Sequence, residues 1–392
     1  MDDVVILSAV RTPIGAFQGA LASLPAHALG ARALTAAFER AGVTADQIQQ
    51  VNLGCVLPAG QGQAPARQAT LGAGCPPSTG ALTLNKVCGS GMRAVMIAAN
   101  DLRCGDFQLV AAGGMESMSQ APYLALGARD GLRLGHGKLI DSMIHDGLWD
   151  PYNDVHMGNC AEICVAEYKL TREEQDAYSV ESYRRAREAS EKGLFAEEIV
   201  PVKIPGKKGE TVVDRDEEPF KADLERISTL RPAFQKDGSV TAGNASKIND
   251  GAAALVLTTA SHAAQLGVKP IARILAHASL AQQPQWFTTA PVGAARAVLE
   301  RAGLKAADID LWEVNEAFAA VAMVFNRELG LDPARVNVRG GAVALGHPIG
   351  SSGARILVTL IHALRERGLR LGGAAICIGG GEATAMVIER ID

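Results

Sequence analysis

One block of this sequence recurs at a fixed distance, and that limits the folds open to the chain. Ala41-Gly42-Val43 followed by Asp46-Gln47-Ile48 returns about 261 positions later as Ala302-Gly303-Leu304 followed by Ala307-Asp308-Ile309. Both stretches lead into a short apolar segment, at Val51-Asn52-Leu53 and at Trp312-Glu313-Val314-Asn315. Gly89-Ser90-Gly91-Met92-Arg93 then matches Ser351-Ser352-Gly353-Ala354-Arg355, with Leu102-Arg103 and Leu364-Arg365 at the same offset beyond. Apolar strands and glycines follow each, Leu109 to Gly114 and Ala374 to Gly381. Matches held in register argue for duplication. The repeated unit alternates strand and helix, so each half is expected to be an α/β layer, with amphipathic helices packed on a mainly parallel sheet. Further strands are expected at Val4–Val10, Ala252–Thr258, Ala272–Leu280 and Ala385–Glu389.

Between the halves runs a different text, from about Ser119 to Lys247, rich in charge and reading as loops plus a helix or two around residues 157–192. The expected division is therefore an N-terminal half, 1–118 plus 248–270, an inserted loop domain, 119–247, and a C-terminal half, 271–392. At 48% hydrophobic and 20% charged, the chain can bury a large core, which sets disorder aside. A net charge of −4 argues against a nucleic-acid binder. No apolar run reaches the roughly 18 residues of a membrane span. The opening Met1-Asp2-Asp3 has no cationic start and no cleavage-site pattern, so no secretory signal is expected. Seven cysteines without regular spacing suit a reducing compartment, the cytoplasm, better than a disulfide framework.

Four places carry residues capable of chemistry. Cys88 precedes Gly89-Ser90-Gly91 and a helical pattern from Met92 to Arg103. A thiol there would sit at a helix N-terminus, whose field favours an anion and is expected to bring the pKa below about 8.5. The bland alternative is a buried structural cysteine. His347 sits in the glycine-bounded Gly346-His347-Pro348-Ile349-Gly350, at the repeat's counterpart of Cys88. Two such loops should meet at one crevice, giving the thiol a base; alternatively this histidine merely caps the next helix. Cys377 ends an apolar strand before Gly379-Gly380-Gly381, whose backbone N–H groups can hold an oxyanion. The alternative is a core cysteine before a plain turn. Asn315, in Asn315-Glu316-Ala317-Phe318, can hold a water or a carbonyl, cap a helix, or both. His156, Cys160 and Cys164 share one helix face, but at 1.5 Å per residue they would span about 12 Å, too far for one zinc ion.

Taken together, Asn85-Lys86-Val87-Cys88-Gly89-Ser90-Gly91, Asn315-Glu316-Ala317-Phe318, Gly346-His347-Pro348 and Cys377-Ile378-Gly379-Gly380-Gly381 resemble the active-site blocks of the thiolases. His156-Met157-Gly158, Thr241 to Ser246, Asn249-Asp250-Gly251 and the opening Ser8 to Pro13 match as well, so the resemblance spans the whole chain. It is nearest to the short-chain branch, the acetyl-CoA acetyltransferases (acetoacetyl-CoA thiolases). The resemblance implies a five-layered α-β-α-β-α fold of two related halves with an inserted loop domain. It also implies a homotetramer, a dimer of dimers, in fatty acid metabolism. It makes Cys88 the acylated nucleophile, His347 its base and Cys377 the base for the α-proton of a second acyl-CoA. His347 and a water on Asn315 would hold the enolate, and the N–H groups of Cys88 and Gly379 a second oxyanion. No cofactor is required, and coenzyme A is a co-substrate. Its expected contacts are Leu148, His156, Met157, Phe234, Ala242, Gly243, Ser246 and Phe318.

Some positions depart from the family. Glu382 follows the triple glycine where a small or polar residue is common. Phe287 resembles the mitochondrial type that accepts a 2-methyl branch, although Thr288 replaces the proline expected next. The same type suggests a potassium site near Tyr183, Ala242, Ala245 and Val343. Residues Gly131 to Ile144, with Arg133, His136 and Lys138, resemble a cationic tetramerisation loop. The nearest competing reading is a 3-ketoacyl-CoA thiolase of broader chain range. Ketoacyl synthases lack the second cysteine. A non-catalytic CoA- or lipid-binding relative would be expected to have lost one of Cys88, Asn315, His347 and Cys377.

Overall fold

The computed structural model describes residues 2–206 and 209–392. The first half supplies β1 (Val4–Arg11), α1 (Ala26–Ala41), β2 (Gln50–Gly54), β3 (Gly80–Leu84), α2 (Ser90–Cys104) and β4 (Leu109–Ser117). The insertion supplies α3 (Met157–Tyr168) and α4 (Arg172–Glu191), after which β5 (Asn249–Thr259) returns to β1 and β4. The second half follows with β6 (Ala272–Ala281), α5 (Ala290–Ala302), β7 (Leu311–Val314), α6 (Ala319–Leu329), α7 (Ile349–Glu366), β8 (Leu371–Ile378) and β9 (Glu382–Arg390).

The duplication is visible in the order of the sheet, β3-β2-β4-β5-β1-β6-β9-β8-β7. Reading outward from the central β1–β6 junction, β5, β4 and β2 on one side answer β9, β8 and β7 on the other. The junction is antiparallel and short, pairing Val5 with Arg273 and Ile6 with Ala272. Helix ends repeat too: α1 and α5 stop at Gly42 (φ 68°) and Gly303 (φ 67°), left-handed positions that glycine enters without a Cβ penalty.

The sheet is mixed, not mainly parallel. Only β2–β3, β2–β4 and β7–β8 run parallel among the described neighbours. In each half the first and last strands, β1 with β5 and β6 with β9, pair antiparallel. The α/β alternation accounts for the parallel pairs alone.

Three apolar cores separate the layers. One lies between the two arms of the sheet, around α2 and α7. The second packs α1 against the outer side of β1, β4 and β5, and the third packs α5 against β6, β8 and β9. The result is helix, sheet, helices, sheet, helix. The sequence pattern predicts an amphipathic α7, yet every residue from Ile349 to Leu364 is buried, as a helix enclosed between two sheets must be. The two central helices meet at glycines. A Cβ on Gly91 would lie 2.8 Å from the Ala354 nitrogen, and one on Gly353 would lie 2.5 Å from the Met92 nitrogen. That contact draws the loops before both helices together.

The insertion is anchored by buried charge. Arg11, at the end of β1, donates to both carboxylate oxygens of Asp216 (2.7 and 2.9 Å) and to Glu198 (2.6 Å). A bidentate pair of this kind fixes orientation as well as proximity. No helix among the described residues is long and apolar enough to cross a membrane.

Candidate active site

Between β3 and α2 the chain makes a tight turn with Cys88 at its outside. Ser90 holds the turn: its hydroxyl donates to the Val87 carbonyl (2.7 Å) and accepts from the Lys86 N–H (2.8 Å). The Asn85 side chain accepts from the Val87 N–H (2.8 Å). These contacts hold Val87 at φ 44°, a costly conformation for a β-branched residue. Glu382, the unusual residue after the triple glycine, forms an ion pair with Lys86 and so ties this turn to β9.

Cys88, His347 and Gly379 share the wall of one cavity of about 220 Å³. The backbone N–H groups of Gly379 and of Cys88 itself lie near the Cys88 sulfur and favour its anion. Those donors do not lower the thiol pKa below its ordinary value, contrary to what a place beside a helix start suggests. Burial dominates and pushes Cys88 up to about 11. The helix begins only at Ser90, with Gly89 as its cap, while an apolar cavity surrounds the sulfur.

His347 is held on three sides. Its backbone N–H donates to Asn249 Oδ1 (2.9 Å). Its Nδ1 is 2.5 Å from Ser352 Oγ, whose own proton goes to the Pro348 carbonyl (2.9 Å). With its hydroxyl directed to Pro348, Ser352 is placed to accept from the ring, and the Asn315 Nδ2 donor at the other nitrogen agrees; both contacts favour the tautomer with the hydrogen on Nδ1 and the lone pair on Nε2. Asn315 Nδ2 lies 3.4 Å from that Nε2. The histidine does not cap α7, whose N-cap is Pro348. Burial, with Arg355 nearby, pushes its pKa down to about 3, so the imidazole rests neutral.

Asn315 continues β7, its N–H donating to the Ala375 carbonyl (3.0 Å). It does not cap α6, which starts at Ala319 behind Phe318. Its Oδ1 is buried without a partner among the described residues, an acceptor free for a ligand or water. Cys377 is the penultimate residue of β8, fully buried behind the cavity wall in a cluster with Met157, Phe287, Ala317 and Phe318. Burial first, then the neighbouring Cys88, pushes its pKa well above the usual thiol value.

Of the residues expected to contact coenzyme A, Leu148, His156, Met157, Phe234, Ser246 and Phe318 line the cavity. Ala242 and Gly243 do not reach its wall; Ala242 is exposed and Gly243 is buried. The lining is strongly apolar, with His156 stacked on Phe234 at 4.8 Å and Phe318 edge-on to Phe234 (6.0 Å) and Phe287 (6.2 Å). His156 also caps α3, its Nδ1 accepting from the Gly158 N–H (3.0 Å). Cys160 contacts Asp150 and Cys164 is buried apart, so the three do not converge on one point. At the potassium position, Lys247 Nζ already donates to the carbonyls of Ala242 (2.6 Å), Ala245 (2.8 Å) and Val343 (3.4 Å).

Sequence reasoning misses Ser352, Asn249 and Lys247. Ser352 lies within the repeat match and Asn249 within one of the thiolase-like blocks. Nothing in their spacing, however, ties either to His347.

The comparisons with known proteins agree with this geometry. Residues 4–261 match the family model "Thiolase, N-terminal domain", and residues 268–390 match "Thiolase, C-terminal domain". An acetyl-CoA acetyltransferase of Pseudomonas aeruginosa is 52% identical over the whole of both chains, and one of Cupriavidus necator is 51% identical over the whole of both. The crystal structure of the Bacillus anthracis acetyl-CoA acetyltransferase superposes with a TM-score of 0.97 at 43% identity, covering 100% of this chain and 99% of that one. This chain belongs to the thiolase family.

Proposed function

We propose that the protein is an acetyl-CoA C-acetyltransferase, joining two acetyl-CoA into acetoacetyl-CoA and CoA and running the reverse thiolysis. The carrying observation is that Cys88, His347 and the Gly379 N–H face one cavity, with Asn315 on His347 and Cys377 immediately behind the wall.

In the first half-reaction the Cys88 sulfur attacks the acetyl carbonyl while His347 Nε2 takes the thiol proton. The carbonyl oxygen, now an anion, accepts from the N–H groups of Cys88 and Gly379. The C–S bond to CoA breaks, the departing sulfur takes its proton from the Cys377 thiol, and acetyl-Cys88, a Cys377 thiolate and a His347 carrying the Cys88 proton on Nε2 remain. In the second half-reaction the Cys377 thiolate takes an α-proton from a new acetyl-CoA and becomes a thiol again. The enolate oxygen accepts from the Nε2–H of His347 and from a water held on Asn315 Oδ1. Its carbon attacks the acetyl-Cys88 carbonyl, the C–S bond to Cys88 breaks to release acetoacetyl-CoA, and the Cys88 sulfur takes its proton back from His347 Nε2. A thiol and an imidazole that rest neutral suit this cycle, because charge appears only once substrate fills the cavity. No metal is needed for any of these steps, and coenzyme A serves as co-substrate.

Phe287 lines the cavity, packed edge-on to Phe318, and a bulky ring there suits a short acyl group. The two halves, 1–118 with 248–270 and 271–392, supply the reacting groups, while 119–247 supplies much of the cavity wall toward CoA. We also place the enzyme in the cytoplasm, in fatty acid metabolism, as a homotetramer. The segment around the strand pair Tyr123–Ala125 and Leu139–Asp141 exposes Tyr123, Leu132, Leu134 and Leu139 beside Arg133 and Lys138, a surface suited to another subunit.

The test is CoA-dependent loss of acetoacetyl-CoA absorbance, with 3-ketohexanoyl- and 3-ketodecanoyl-CoA alongside and Cys88→Ser as control. Fast cleavage of the four-carbon substrate alone, absent in the variant, is expected. Equal cleavage of the longer substrates would make this a broad-range thiolase, and no Cys88-dependent cleavage would overturn the reading.

A further inference from the structure

Lys247 sits in the loop between the insertion and β5, and its ammonium is fully engaged. It donates to the carbonyls of Ala242 (2.6 Å), Ala245 (2.8 Å) and Val343 (3.4 Å), which matches the three donors of an ammonium group. The Tyr183 ring faces the same nitrogen, 5.6 Å from its centroid. Glu218 and Glu316 supply negative charge nearby. Three backbone carbonyls aimed at one point, over an aromatic face and beside carboxylates, form a cage for a monovalent cation. The chain fills that cage with its own side chain.

The cage joins two parts of the site. Ala245 and Ser246 line the cavity, and the Ser246 N–H donates to the Ala317 carbonyl (2.9 Å) beside Phe318. Val343 lies four residues before His347, and its N–H donates to Glu316 Oε2 (3.1 Å). We propose that Lys247 is a positioning residue, a tethered cation that locks the cavity loop 242–246 to the segment leading into His347, so that the enzyme works without any dissolved alkali ion. Removing the ammonium should convert this site into a potassium site.

The kinetic arm of the test rests on the thiolase reading; the stability arm does not. Wild type, Lys247→Ala and Lys247→Met are compared in potassium chloride and in tetramethylammonium chloride at equal ionic strength. Tm is recorded together with kcat and KM for CoA. Wild type should have the same Tm in both salts, and activities within about twofold, because its cage is already full. In tetramethylammonium, Lys247→Ala should lose about tenfold in kcat/KM, mostly through KM, since three carbonyls lose their donor and the cavity loop is released. Potassium should restore most of that loss and raise the variant's Tm. Lys247→Met, which fills the stem volume without charge, should be impaired in both salts. A wild type that potassium stabilises or activates would overturn the proposal. So would a Lys247→Ala protein whose Tm and KM are indifferent to potassium. If wild type has no thiolase activity, the functional reading fails while the Tm comparison still decides the role of Lys247.

Discussion

Ser352→Ala tests how His347, the proposed base, is held. The Ser352 hydroxyl accepts the Nδ1 hydrogen of His347 (2.5 Å) and passes its own proton to the Pro348 carbonyl (2.9 Å). Without it, the ring has two options. It can keep its hydrogen on Nδ1, buried and unpaired, at a cost of about 1–3 kcal/mol. Or it can move the hydrogen to Nε2, which removes the lone pair that would accept the thiol proton and opposes the Asn315 Nδ2 donor. In the first case the cost appears as lost stability, in the second as slower acylation. At about 1.4 kcal/mol per tenfold, the rate loss falls between about 5- and 150-fold. The assays are single-turnover acetylation of Cys88 by acetoacetyl-CoA and urea unfolding of the same variant. An acylation rate within about twofold of wild type, with unchanged unfolding free energy, would refute the argument, since the lost bond must cost something in one of the two.

Two further predictions concern the resting protein. The folded state holds the Cys88 proton to about 11, whereas an unfolded cysteine releases it near 8.5. Stability therefore falls as pH rises from about 9 to 11, and Cys88→Ser should lose less Tm than wild type across that window; parallel curves would count against a buried neutral thiol. Gly114→Ala would put a Cβ 2.0 Å from the Gly350 carbonyl oxygen, where α7 crosses β4 next to the His347 loop. We expect about 1–3 kcal/mol of destabilisation by urea unfolding, with slower thiolysis; a variant as stable as its parent would show that the helix has room to move.

Much of this site is legible in the amino-acid sequence. A repeat of about 261 residues places the loops of Cys88 and His347 at equivalent positions, and equivalent loops of paired halves meet at one crevice. The strand directions are not legible. β5 reaches its place only after an insertion of more than a hundred residues, and no local pattern tells which way it will run beside β1 and β4. The burial of α7 is hidden too, because Arg355 and His362 within it suggest a wet face. Both sheet arms account for their burial: Arg355 faces Glu313 of β7 (3.5 Å) and His362 contacts the Ala9 carbonyl of β1 (2.9 Å). For Cys88, the sequence shows the helix that follows but not the cavity around it, and the cavity decides the pKa. Lys247 reads as an ordinary solvated lysine. Its role depends on carbonyls from two segments about 100 residues apart in the chain, and sequence spacing does not encode carbonyl direction.

The central claim is a division of labour between two cysteines, and one measurement separates them. Wild type, Cys88→Ser and Cys377→Ser are each incubated with acetyl-CoA in deuterated buffer. Peptide mapping by mass spectrometry follows protein acetylation, and mass analysis of recovered acetyl-CoA follows α-deuterium. The account predicts acetyl on Cys88 in wild type and in Cys377→Ser, none there in Cys88→Ser, and deuterium uptake abolished in Cys377→Ser. Deuterium uptake that persists without Cys377, or acetylation that moves to Cys377 in the wild-type enzyme, would contradict it.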